Sequence, residues 1–162
     1  MFIGRLSYAL AVDPKGRLVI PQKVRDEIDK RDGDLEVMFG VFGAPCLKLY
    51  TKTQFELITR ALEEALDDSL ENDRKKRLFY SAFVEVSIDK QGRVTIPATL
   101  MRRAGVTSQV VVIGTKDRVE FWDEKSFEAY EQQAGNADDA TTVEILGRAR
   151  RALAAQGTKE NG

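Results

Sequence analysis

Apolar positions follow three spacings along this chain. Two short β-branched runs, Leu18-Val19-Ile20 and Val94-Thr95-Ile96, each lie between a glycine-containing turn and a proline, the setting of a strand. After each proline, apolar residues recur four apart, as Val24 and Ile28 and again as Leu100 and Ala104. This predicts a short helix with Pro21 or Pro97 at its first position, where the missing N–H costs nothing. Leu35 to Phe42 with Cys46 to Tyr50, and Val110 to Ile113 with Arg118 to Trp122, read as hairpin strands. Phe55, Ile58, Leu62, Ala65, Leu66 and Leu70 recur at three- and four-residue intervals with acids on the opposite face, which predicts one long amphipathic helix. Thr51 can cap that helix and Asp123 a later one.

These elements occur twice because the sequence does. Asp13-Pro14-Lys15-Gly16-Arg17-Leu18-Val19-Ile20-Pro21 and Asp89-Lys90-Gln91-Gly92-Arg93-Val94-Thr95-Ile96-Pro97 share the pattern Asp-x-x-Gly-Arg-apolar-x-Ile-Pro at a constant offset of 76 residues. Further on, Leu47 to Glu56 aligns with Val119 to Glu128 at an offset of 72, so the first unit carries four more residues near Phe39 to Pro45, where a surface turn tolerates insertion. The predicted organisation is a first repeat over 7–53, a helical bridge over 54–82, a second repeat over 83–126, and a helix end with a flexible tail over 127–162. Within that tail, Val143, Leu146, Arg150 and Leu153 allow a marginal helix.

The chain has 162 residues, 43% hydrophobic and 31% charged, enough for a buried core. It has no apolar run of the roughly 18 residues a membrane span needs and no signal-peptide pattern, so a cytoplasmic protein is expected. A single Cys46 and no histidine leave no plausible zinc or haem site and no Ser-His or Cys-His pair. Gly40-Val41-Phe42-Gly43 lacks the Lys-Ser/Thr of a phosphate loop. No enzyme, cofactor, metal or small-molecule substrate is expected.

Charge is segregated. Lys15, Arg17, Lys23 and Arg25 stand against Asp13 alone, and Lys90, Arg93, Arg102 and Arg103 against Asp89 alone, within a chain whose net charge is −1. A second cation run, Arg74-Lys75-Lys76-Arg77, suits the C-terminal end of the long helix. In the repeated phrase, Gly16 and Gly92 permit a tight turn with positive φ, and Asp13 and Asp89 can accept backbone N–H bonds within it. Each turn then mounts an arginine able to form bidentate bonds to phosphate or guanine. The alternative is that Asp13 and Arg17, or Asp89 and Arg93, merely pair with each other, and chemistry alone leaves both open.

These residues resemble the swapped-hairpin DNA-binding units of the AbrB, SpoVT and MazE proteins. Two units in one chain, the N-terminal Met-Phe-x-Gly and Trp122-Asp123 at the end of the second hairpin are similar to the MraZ family, regulators of the bacterial division and cell-wall gene cluster. The resemblance covers about residues 1–133. It implies a mainly β fold with short helices (α+β), in which two tandem AbrB-like units form a double-split β-barrel with a bridging helix. It also implies a ring-shaped homo-oligomer, nucleoid-associated and bound to promoter direct repeats on double-stranded DNA, with no membrane partner. Lys15, Arg17, Lys90 and Arg93 are the expected DNA contacts, Lys23, Arg25, Arg102 and Arg103 flank them, and Asp13, Gly16, Asp89 and Gly92 hold the turns. An antitoxin-like protein-interaction module on the same fold is the alternative. Met101 stands where the first repeat has Arg25, so the two basic faces differ.

Overall fold

A computed structural model describes residues 1–33, 35–134 and 140–157. Residues 1–127 form one compact unit and 128–162 a second. In the first unit the order is β1 (Phe2–Ala11), β2 (Arg17–Val19), α1 (Gln22–Asp32), β3 (Glu36–Gly40), β4 (Leu47–Thr51), α2 (Lys52–Ala65), α3 (Leu70–Tyr80), β5 (Phe83–Ser87), β6 (Arg93–Thr95), α4 (Ala98–Ala104), β7 (Gln109–Lys116) and β8 (Val119–Asp123). Helix α5 (Glu124–Ala134) begins in this unit and ends in the second, which also contains α6 (Ala140–Gly157). The architecture is mixed α+β with every strand pair antiparallel. Helices cover more of it than a mainly β reading anticipates.

Six strands form one sheet in the order β1-β7-β8-β4-β3-β5, and β2 pairs with β6 in a separate ribbon. The order reveals an exchange. Strand β1 of the first repeat pairs with β7 of the second, while β5 of the second repeat pairs with β3 of the first. Exchanging the repeats maps the sheet onto itself. The registers agree: Leu18 faces its own counterpart Val94 at the centre of the ribbon, and Lys48 faces its counterpart Glu120 at the centre of the sheet. The two hairpins and the ribbon are therefore related by a pseudo-twofold arrangement internal to one chain.

Burial explains the local structure. Leu18 and Val94 are 2% exposed, and Ile20 and Ile96 lie just behind them in the core. Val24 and Ile28 of α1, like Leu100 and Ala104 of α4, are buried as their four-residue spacing predicts. Pro21 and Pro97 occur one position earlier than predicted, as N-caps with ψ 139°. Their extended backbone precedes the first helical residue, while the Pro21 and Pro97 carbonyls accept the amides of Val24 and Leu100 that open each helix. The hairpins fall where predicted, and the connection from β3 to β4 is longer than that from β7 to β8, as the insertion requires. The extra loop is put to use: Phe42 packs edge-on against Phe79 with ring centroids 5.1 Å apart.

Strands β1 and β5 and a break between α2 and α3 go beyond the elements that the sequence pattern predicts. β1 carries no clear alternation in its sequence because its register is interrupted twice. A signal for β5 existed in the repeat itself, since Phe83 to Ser87 lies 76 residues after Ser7 to Ala11. The long helix is two helices. Leu66 is extended, Ser69 caps α3 by accepting the Asn72 amide at 3.3 Å, and the Asp67 carboxylate accepts the Ser69 amide at 2.9 Å. Local side-chain bonds to the backbone thus outcompete helix continuation. Lys76 of α3 reaches back to Glu63 of α2 at 2.7 Å, and Tyr80 donates to the same carboxylate at 2.8 Å. The Phe83 ring lies over Gly40, where a Cβ would stand 2.2 Å from it, and contacts Phe55 and Phe79 with centroids 4.9 and 5.0 Å apart. This aromatic group seats α2 and α3 on β5. In the second unit, α6 covers the segment read as a marginal helix, with Arg148 paired to Glu144 at 2.7 Å. The flexible-tail expectation for 135–139 and 158–162 lies outside the described residues.

Phe39 of β3 and Phe121 of β8 come from different repeats, are fully buried, and meet with ring centroids 5.6 Å apart. Each alanine substitution should destabilise the protein by about 3–5 kcal/mol. The double variant should fall short of the sum by roughly 0.5–1.5 kcal/mol, the value of the ring pair. Denaturant unfolding of the four proteins measures both.

Candidate nucleic-acid interface

The repeated phrase builds the same turn twice. Asp13 Oδ1 accepts the amides of Lys15 and Arg17, each at 2.9 Å, and its Oδ2 accepts Arg17 Nε at 2.6 Å. The backbone closes around it, with Gly16 N–H donating to the Asp13 carbonyl at 2.9 Å and Asp13 N–H to the Arg17 carbonyl at 3.0 Å. In the second repeat Asp89 Oδ1 accepts Gln91 and Arg93 amides at 2.9 Å, and Oδ2 accepts Arg93 Nε at 3.0 Å. Gly16 and Gly92 both adopt φ +79°, a region where an L side chain is strained. A Cβ on Gly16 would also stand 2.4 Å from the Ile96 carbonyl oxygen. That close approach exists because the turns are stitched across repeats: Ile96 N–H donates to the Gly16 carbonyl at 2.9 Å and Ile20 N–H to the Gly92 carbonyl at 2.8 Å.

The Asp–Arg pairing considered from sequence is thus present in both repeats, yet it engages only Nε of each guanidinium. Both Nη groups of Arg17 and Arg93 lack a protein partner among the described residues, and the two side chains are 48% and 47% exposed. Leu18 and Val94 point inward, so by strand alternation Arg17, Val19, Arg93 and Thr95 share the outer face of the ribbon. A shallow groove on that face, lined by Asp13, Val19, Arg17 and Arg93, brings both arginines together. Each carboxylate holds its turn as an acceptor and engages only the Nε edge of the fork. The rest of each fork faces solvent, the geometry of a planar anion or base-edge reader.

The other predicted residues are distributed unevenly. Lys15 and Arg102 line one cleft beside the first turn, together with Gly16 and Met101. Lys90 and Arg103 are exposed. Lys23 lines a different hollow, beside Met1, Ile3 and Glu27 at the N-terminal strand. Arg25 turns inward: its Nε donates to the Ile20 carbonyl at 3.1 Å, and its Nη2 to the Gln22 side-chain oxygen. In the run at 74–77, Lys75, Lys76 and Arg77 are paired with Glu71, Glu63 and Asp73. No group of three or more metal-ligating side chains occurs among the described residues. Nor is any described helix long and apolar enough to cross a membrane. Buried Cys46 has its thiol pushed up to about 12, chiefly by burial and then by the neighbouring Glu120 carboxylate, which leaves it unreactive.

Fold and site together define an internally duplicated, strand-exchanged hairpin protein carrying a symmetric pair of aspartate-held arginine turns. Residues 78–146 match a family described as "MraZ protein, putative antitoxin-like". Transcriptional regulator MraZ of Lactobacillus helveticus is 36% identical over 140 residues, covering 86% of this chain and 92% of the relative. The proteins of that name from Frankia alni and Lactiplantibacillus plantarum are 34% and 38% identical over 146 residues, covering 90% and 86% of this chain and 97% and 94% of theirs. The chain belongs to the MraZ family.

The bonds Asp13 accepts from the Arg17 backbone and then its side chain hold its carboxyl below the ordinary 3.8, and the Arg93 backbone amide does the same for Asp89. A lowered folded-state pKa means each turn's contribution is complete above 3.8 and is lost as pH falls through the lower folded value. Carboxyl NMR titration should give midpoints below 3.8 for both residues. The Arg17 and Arg93 Nε–H resonances should move with the same midpoints.

Proposed function

We propose that this protein is a sequence-specific DNA-binding transcriptional regulator in which Arg17 and Arg93 read or clamp DNA from the outer face of the β2–β6 ribbon. The observation that carries the reading is the pair of identical turns, each fixing one arginine by Nε while leaving its Nη groups unengaged on a shared face. Such forks suit phosphate or guanine O6 and N7, with about 1–3 kcal/mol of base discrimination for a good bidentate pair. Lys15, Lys90, Arg102, Lys23 and Arg103 add phosphate contacts around them. Asp13, Gly16, Asp89 and Gly92 hold the geometry. The names of the relatives and the AbrB-like resemblance support the same class.

The finer reading follows from that resemblance. Repeats 7–53 and 83–126 act as a pseudo-dimer with double-split-barrel character, joined by the bridge over 54–82. Protomers assemble into a ring in the nucleoid-containing cytoplasm and dock on direct repeats upstream of the division and cell-wall cluster, their own operon included. Linking several weak faces in this way raises avidity by roughly 10² to 10⁴. Neutralising about 6–10 phosphates makes binding fall on the order of 10³- to 10⁵-fold between 50 and 200 mM salt.

The test is fluorescence anisotropy against DNA from the protein's own upstream region and a shuffled control, at two salt concentrations. Wild type should prefer its upstream DNA and respond steeply to salt, and the Arg17→Ala, Arg93→Ala double variant at matched oligomeric state should lose the preference. Equal binding by the two proteins would overturn the reading. Copurification with one stoichiometric protein partner would instead support the antitoxin-like module.

A further inference from the structure

The two turns agree residue for residue in their hydrogen bonds, but different groups lie against them. Arg25 of α1, in the first repeat, extends to the turn of the second. Its guanidinium carbon lies 2.5 Å from where a Cβ on Gly92 would stand, so it covers that glycine directly. Its Nε donates to the Ile20 carbonyl, and the Ile20 amide donates to the Gly92 carbonyl, so one residue, Ile20, links the guanidinium to the turn. The Gln22 side chain fixes the guanidinium from the other side.

The counterpart of Arg25 is Met101, which is 9% exposed and has no donor to offer. The equivalent strand-to-turn bond exists there, from Ile96 to Gly16, but beside it lies an open cleft lined by Gly16, Ile96, Met101 and Lys15. The Asp13 turn is thus held by its own aspartate and one strand bond, whereas the Asp89 turn carries an additional clamp from the opposite repeat.

We propose that Arg25 is a positioning residue for Arg93: it fixes the Asp89–Arg93 turn across the repeat boundary and makes the two arginine mounts unequal in rigidity. The competing role is a direct phosphate contact. That role needs outward-facing donors, and this half-buried guanidinium already spends Nε and Nη2 on protein acceptors. The consequence for recognition rests on the DNA-binding reading above, while the clamp itself does not.

The experiment compares wild type, Arg25→Met and Arg25→Lys by amide hydrogen exchange and by anisotropy over a salt series. Arg25→Met gives the first repeat the side chain of the second, and Arg25→Lys keeps the charge but has one nitrogen where the guanidinium offers separate Nε and Nη2 donors in a rigid plane. Both variants should speed exchange of the Gln91, Gly92 and Arg93 amides several-fold and leave those of Lys15, Gly16 and Arg17 unchanged. Affinity for upstream DNA should fall with the salt slope unaltered. A phosphate contact would show the reverse: unchanged exchange, a slope reduced by about one in Arg25→Met, and near-wild-type binding in Arg25→Lys. Either unchanged exchange at 91–93 or equal loosening of both turns overturns the clamp. If Arg25→Met fails to fold, Arg25→Lys alone decides by the same readouts. If wild type itself shows no preference for its upstream DNA, the functional reading fails while the exchange data still judge the clamp.

Discussion

Each hairpin in this protein takes its third strand from the other repeat. β3–β4 is completed by β5, and β7–β8 by β1, while the ribbon that carries the arginines contains one short strand from each repeat. A two-stranded hairpin is marginal alone, and a three-residue strand has no stability without its partner. Neither repeat can therefore bury its core separately. The connection through α2 and α3 delivers β5 to β3, and the Phe42, Phe55, Phe79 and Phe83 group holds that connection down.

Covalent duplication gives the two halves a freedom that a homodimer lacks. At a true twofold axis a residue faces its own copy, and like charges directly opposite destabilise a strand pair. Here Lys48 faces Glu120 in register at the pseudo-axis. The Lys48 ammonium donates to the Phe42 carbonyl, and Glu120 accepts Arg118 Nε and Trp122 Nε1, each at 2.9 Å. Both buried charges are thus satisfied, as burial demands. The same freedom separates Arg25 from Met101 and makes two turns of one design unequal in support.

The paired aspartate and exposed arginine are complementary uses of one turn. The carboxylate satisfies two backbone amides and one guanidinium edge, which orients the fork and lowers the entropy lost when the remaining donors meet an anion. Cations of α3 and the ribbon arginines are alike paired with neighbouring acids, so what sets Arg17 and Arg93 apart is the exposed Nη donors that their pairing leaves open rather than an excess of charge.

The duplication, the strand-turn-helix phrase, both hairpins, the inserted loop and the turns built by Asp13, Gly16, Arg17 and their counterparts were legible in the sequence, because each depends on residues a few positions apart. A turn needs its glycine and its aspartate at fixed spacing, and a helix face needs its apolar residues four apart, whatever surrounds them. The exchange of β1 and β5, the break at Leu66 to Ser69, the Lys48–Glu120 register and the inward course of Arg25 were decided only by tertiary structure. They depend on which distant segment supplies a missing strand or acceptor. Arg25 and Lys23 look alike along the chain, and only the position of Gly92, far away in sequence, turns one of them into the core of the site's support.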